Sequence, residues 1–180
     1  MVPVSGSNID MHARKPIAIA VLLVVGTARA GHACSRIGPM PTPEALVKAA
    51  RVVGLTRAAP NRFADLVEFQ VVDTLKGTSP GPLIVLEGTL TEHDDFNDSP
   101  FPYAFVRRDG RHGNCFAKTF RAGALYMLLL KSTAEVLPLS AGSSATRYTP
   151  YWEPLAPTNE QVRGPDDRWV IWVHRQLSPP

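Results

Sequence analysis

From Leu66 the chain alternates. Leu66, Glu68, Gln70 and Val72 fall on one side and Val67, Phe69, Val71 and Asp73 on the other, until Leu75-Lys76-Gly77 ends the run. Successive side chains of a strand point to opposite faces, so the alternation predicts a long half-buried strand. A second pattern is unbroken: residues 125–130 are apolar throughout, behind the turn signal Arg121-Ala122-Gly123. That run is short for a helix and reads as a strand buried on both faces. Three further strands are predicted: 52–56, where Gly54 marks a bulge; 83–86, after the turn Ser79-Pro80-Gly81-Pro82; and 134–139, hairpin-paired with 125–130 and ended by Gly142-Ser143-Ser144.

Helical spacing appears near both ends of this region. Thr42 can cap a helix, Pro43 suits its first turn, Glu44 favours the positive end of the dipole, and Leu46, Ala49 and Ala50 supply an apolar face. Trp169, Trp172, Val173 and Leu177 recur at helical intervals, with Asp166 and Asp167 in the first turn and Arg175 near the end. This spacing reads as core packing, the other use being a partner-binding face. Thr158-Asn159-Glu160-Gln161 has the spacing of a capping box and predicts another short helix. Between Gly88 and Asn114 there is little periodicity, and polarity with Pro100 and Pro102 predicts an exposed loop. Five strands with few, short helices predict a mainly β chain folded as a small closed or partly open barrel.

The first thirty-three residues change the picture of where the chain works. An apolar run over 16–25 follows His12, Arg14 and Lys15 and precedes Thr27-Ala28-Arg29-Ala30, the layout of a secretory leader. The run has half the length a membrane span requires, so no stable span is expected once the leader is removed. Met11 is an alternative start, and cleavage falls before either Gly31 or Cys34. The expected organisation is leader 1–33, barrel 34–140 and carboxy-terminal extension 141–180, in a secreted or periplasmic protein.

The formal charge of +3 belongs to the whole chain; without the leader, 16 Lys and Arg stand against 15 Asp and Glu. Nucleic-acid binding needs clustered positive charge, and this balance argues against it. Two cysteines in an exported chain are expected to pair, here Cys34 with Cys115. The bond would close a loop of roughly 80 residues, for which chain entropy gives on the order of 4 to 5 kcal/mol as an upper figure.

The order and spacing of these features resemble a known family. Cys34-Ser35, the helix over 44–50, the strands over 52–56 and up to Leu75-Lys76-Gly77, then Cys115 followed by Gly123-x-x-Tyr126-x-Leu128, resemble the netrin-like module of the tissue inhibitors of metalloproteinases. The resemblance covers residues 34–139. It implies an OB-like five-stranded barrel with flanking helices, and it agrees with the Cys34–Cys115 pairing. In those inhibitors the amino-terminal cysteine chelates a target protease's zinc through its α-amino group and carbonyl oxygen, and the next residue enters the specificity pocket. The corresponding residues here are Cys34 and Ser35, and the chemistry requires cleavage directly before Cys34. Arg36 stands where the inhibitors carry their second cysteine, and their additional disulfides have no counterpart.

The residues themselves offer other chemistries. Asp94, Asp95 and Asp98, in a run with Glu92, His93 and Asn97, offer hard oxygen ligands, without the spacing of an EF-hand. Asp109, His112 and Cys115 follow one another at intervals of three, as a thiol enzyme could use them, but an exported two-cysteine chain puts its cysteines into a disulfide. No nucleophile elbow, phosphate-binding loop or zinc-protease helix motif occurs. Arg107, Arg108 and Arg111 read as the solvated end of the long loop or as a dock for an acidic partner. The expectation is a non-enzymatic module without cofactor that binds another protein, in the finer reading a zinc metalloprotease. The alternative is a structural or accessory envelope protein.

Overall fold

The computed structural model describes residues 38–111, 113–140 and 143–178. In order they form helix α1 (Pro43–Ala49), strands β1 (Val52–Pro60), β2 (Leu66–Lys76), β3 (Leu83–Glu87) and β4 (Thr89–Thr91), and a 3-10 turn over Arg108–Arg111. Strands β5 (Thr119–Arg121), β6 (Leu125–Ser140), β7 (Ser143–Pro150) and β8 (Asn159–Val162) and helix α2 (Arg168–Leu177) follow.

Five strands close on themselves in the order β1-β2-β3-β7-β6, with β6 returning to β1. Every join is antiparallel except β3 to β7, where Ile84 faces Thr146 and Val85 faces Arg147 in parallel. This is an OB-like barrel, the architecture expected from the sequence. The unbroken apolar run of β6 has a direct cause. Tyr126, Leu128 and Leu130 pack inside the barrel with Val67, Phe69, Ile84 and Leu86, while Met127 and Leu129 face outward, under α1 and α2, with Leu46, Val47, Val53, Trp169 and Val173. Alternate side chains thus enter two separate cores, and burial of each contributes on the order of 1.5–3 kcal/mol.

Both helices are capped by side chains, α1 by the Thr42 that the sequence suggested and α2 by Asp167, which stands just before the first turn and not in it. Thr42 Oγ1 accepts the Ala45 N–H at 3.2 Å, and Asp167 accepts the Trp169 N–H at 2.9 Å. At the other end of α1 the Lys76 ammonium donates to the carbonyls of Val47, Lys48 and Ala50 at 2.8, 2.6 and 2.6 Å, and partial burial pushes its pKa below the usual lysine value. The turn after β2 requires glycine. Gly77 has φ +82°, and a Cβ there would lie 2.3 Å from the Arg51 carbonyl oxygen.

Three expectations are corrected. Residues 134–139 are not a separate strand hairpinned onto 125–130, because Lys131-Ser132-Thr133 carries no turn residue and β6 runs through to Ser140 with a register irregularity there. The fifth barrel strand is therefore β7, so the barrel continues past residue 140 into the stretch expected as an extension. Thr158-Asn159-Glu160-Gln161 does not open a helix. It leads into β8, which pairs with β6 from Val162 on Leu125 to Asn159 on Leu128, and this tertiary pairing overrides a local pattern of four residues. The 88–114 stretch is not simply an exposed loop. It contains β4, paired in parallel with β5, and it buries Tyr103, Val106 and Arg107. No helix among the described residues is long and apolar enough to cross a membrane.

Candidate binding surface

The insertion between β3 and β6 is organised around a charge. Arg107 is fully buried, and a buried guanidinium is tolerated only where its donors are matched. Its Nη1 reaches Asp95 at 2.8 Å, its Nη2 the Thr119 carbonyl at 2.7 Å, and its Nε the Asn159 carbonyl at 3.0 Å. The guanidinium lies over the rings of Phe120 and Tyr126, 5.0 and 5.3 Å from their centroids. Those rings and Phe69 form an edge-to-face trio in the barrel interior, so the arginine joins the insertion to the core. Asp95 also accepts the Asp109 N–H at 3.1 Å, and Asp109 accepts the backbone N–H groups of Lys118 and Thr119 at 3.0 and 3.1 Å.

Beside this network lies a second buried ionisable group. Glu160, on β8, is wholly buried and accepts one hydrogen bond at 2.9 Å from Asn97, while its Oε1 has no partner among the described residues. Burial pushes its pKa up to about 8, against the opposing pull of the Arg107 charge and the Asn97 hydrogen bond. The carboxyl therefore carries its proton at neutral pH.

The acidic run considered for a metal is divided among arginines. Asp94 pairs with Arg121 at 2.6 Å, Asp95 with Arg107, and Asp98 with Arg108 at 2.9 Å and Arg111 at 2.7 Å. The hydrogen bond from Arg121 holds Asp94 below the usual carboxylate range, and that from Arg108 does the same for Asp98. Among the described residues no three His, Cys, Asp or Glu side chains gather as a metal site would require. The expected basic cluster is likewise split: Arg107 is inside, and Arg108 and Arg111 are tied to Asp98.

Cys115 lies half-buried at the end of the insertion, in the left-handed region at φ 61°. Its carbonyl accepts the Leu155 N–H at 2.9 Å, and the Leu155 carbonyl accepts the Val106 N–H at 2.8 Å, so Leu155 ties the backbone of the cysteine to that of Val106. Next to it the rings of Phe116 and Trp152 meet edge-on at 4.2 Å, and the Lys118 ammonium lies 5.8 Å from the Trp152 centroid and 3.1 Å from Glu87. A hollow of about 150 Å³ opens among Asp65, Glu87, Thr89 and Lys118.

The leader, Cys34, Ser35, Arg36 and His112 lie outside the described residues. Asp109, the first member of the Asp109-His112-Cys115 spacing, is engaged with backbone amides. The tryptophan pair of α2 packs as core: Trp169 is fully buried, stacked on Trp172 at 4.8 Å and tilted against Tyr103 at 5.1 Å. Large apolar side chains exposed among the described residues include Phe101 and Phe105 of the insertion, 38% and 45% exposed, as well as Phe63, Val72, Leu90 and Ile171. Sequence reasoning placed Arg107 in a basic cluster and Glu160 in a capping box and missed the burial of both, since a charged residue in a polar stretch carries no signal of burial. No family model matches the chain, and neither a curated protein nor a solved structure matches it.

Proposed function

We propose that the chain is an exported, non-enzymatic module that binds another protein through the rim around Cys115, with a Cys34–Cys115 bond bringing Ser35 to that rim. The setting of Cys115 supports this reading: the residue directly precedes Phe116, whose ring meets that of Trp152, and aromatic side chains are enriched where proteins meet. The OB-like barrel agrees with the netrin-like resemblance on which the role of Cys34 rests. In the finer form of the proposal the partner is a zinc metalloprotease. The α-amino group and carbonyl oxygen of Cys34 chelate its zinc and Ser35 occupies its specificity pocket.

Intact mass of the exported protein, before and after reduction, tests the proposal first. The expected chain begins at Cys34 and gains two hydrogens on reduction, and it binds a zinc metalloprotease catalytic domain in a manner lost on Ser35→Arg. A chain beginning at Gly31 ends the chelation form, and an unreducible pair of thiols ends the rim as the contact site. The exposed rings of Phe101 and Phe105 favour a second reading, an accessory envelope protein that uses the insertion for contact. In that case Ser35→Arg leaves partner binding intact while Phe105→Asp removes it.

A further inference from the structure

A groove of about 360 Å³ lies where β1, β5 and the beginning of β6 meet the end of β8. Arg57, Arg121 and Arg163 line it, with apolar surface from Phe96, Leu125 and Val162 between them. Each guanidinium is held by a separate contact. Arg57 Nη1 donates to the Gly123 carbonyl at 2.8 Å, Arg121 pairs with Asp94, and Arg163 lies over the Phe96 ring, 4.2 Å from its centroid. The only carboxylate lining the groove among the described residues is Asp94, and it is already engaged by Arg121 and by the Gln161 amide. Arg163 has only a distant carboxylate, that of Asp167 at 3.9 Å, and Arg57 has none within ion-pair distance among the described residues.

Three positive charges thus face one negative charge in a chain that is otherwise near balance. A guanidinium has five N–H donors in a planar fork matched to a carboxylate, and Arg57 and Arg121 each direct one nitrogen, Nη1, to a protein acceptor among the described residues. The guanidiniums come from three different elements with apolar positions between them. This spacing suits an extended segment in which carboxylate and apolar side chains alternate better than a single compact anion. Contacts already made by each arginine also lower the ordering cost of binding, because the forks are partly fixed beforehand.

We propose that this arginine groove is a second docking site of the molecule, for an acidic, apolar-interspersed peptide segment of a partner protein. It is separate from the Cys115 rim, so either site can fail without the other.

The test uses the full exported chain and a short blocked peptide alternating glutamate and leucine, followed by amide NMR shifts and by titration. Shifts are expected at the backbone amides of Arg57, Arg121 and Arg163, with affinity falling as salt rises. The double substitution Arg57→Gln with Arg163→Gln, both on exposed side chains, is expected to weaken binding by at least about tenfold with an unchanged melting temperature. Reversing the charges, as R57E with R163E, should transfer binding to the counterpart peptide of lysine and leucine. The proposal is overturned if the glutamate peptide leaves those amides unmoved, or if the double variant binds it as well as the parent. It is also overturned if inorganic phosphate displaces the peptide with equal affinity, which would make the groove a small-anion site.

Discussion

The barrel and the insertion that interrupts it are held by opposite means. Inside the barrel, Val67, Phe69, Ile84, Leu86 and Leu128 exclude water by apolar packing. In the insertion, a buried guanidinium, an ion pair with Asp95 and a set of carbonyl acceptors take the place of an apolar core. Apolar packing is non-directional and tolerates exchange of one hydrophobe for another of similar volume. A matched guanidinium is directional, and it loses everything when one partner is removed. The insertion is therefore the more specific part of the molecule and the more brittle.

The sharpest way to break that comparison is to delete the centre of each region. Arg107→Met leaves Asp95, Asn159 and Thr119 without their donor and is expected to cost about 3–5 kcal/mol. Phe69→Ala in the barrel should cost about the same, on the order of 3–5 kcal/mol. The two differ in their conservative variants. Phe69→Leu should recover most of the loss while Arg107→Lys should not, since an ammonium cannot reproduce the fork. Urea unfolding of the four proteins decides it, and recovery by Lys would mean that charge alone suffices.

Next in size is the effect of pH on Glu160. Its folded pKa of about 8 lies above the ordinary value of 4.5, so the folded protein keeps a proton that the unfolded chain releases between those limits. Stability should fall as pH rises from about 4.5 to about 8 and level off above, with a slope approaching 1.4 kcal/mol per pH unit. Glu160→Gln should remove this slope. Thermal melts of both proteins from pH 4.5 to 9 will show it as a gap that widens with pH and then stays constant; parallel curves would show that Glu160 is not the group responsible. Smallest of all is the exposed triad at Asp98. Asp98→Asn is expected to leave the melting temperature unchanged at ordinary salt, because exposed pairs are screened and gain little.

The same contrast explains what could be read in advance. The alternation of β2, the doubly buried run of β6 and the Thr42 cap of α1 are local patterns with one physical meaning each, and they appear where the sequence puts them. β7 was missed because Ser143 to Pro150 is mostly polar: only Ala145 and Pro150 are buried among its described side chains, and its place in the barrel comes from backbone pairing. β8 was misread because a capping box and a buried polar strand share the same residues. Asp95 and Arg107 meet within the insertion whereas Glu160 comes from β8, and nothing in the neighbours of any one of them announces the others. Of the two candidate surfaces, the rim could be placed through Cys115, whereas the groove depends on Arg57, Arg121 and Arg163 converging from three elements.

One join also sets the order in which this molecule is made. Ile84 and Thr146, partners across the parallel seam of β3 and β7, stand more than a third of the chain apart. Loop-closure entropy makes this seam a late event on the folding route, together with the β1–β6 join, whose partners Val52 and Leu130 lie still further apart. The β1–β2 hairpin, whose partners are near neighbours, belongs to the early part. Weakening β7 should then leave the folding rate nearly untouched and show itself as faster opening, which makes that parallel seam the place where the barrel's lifetime is decided.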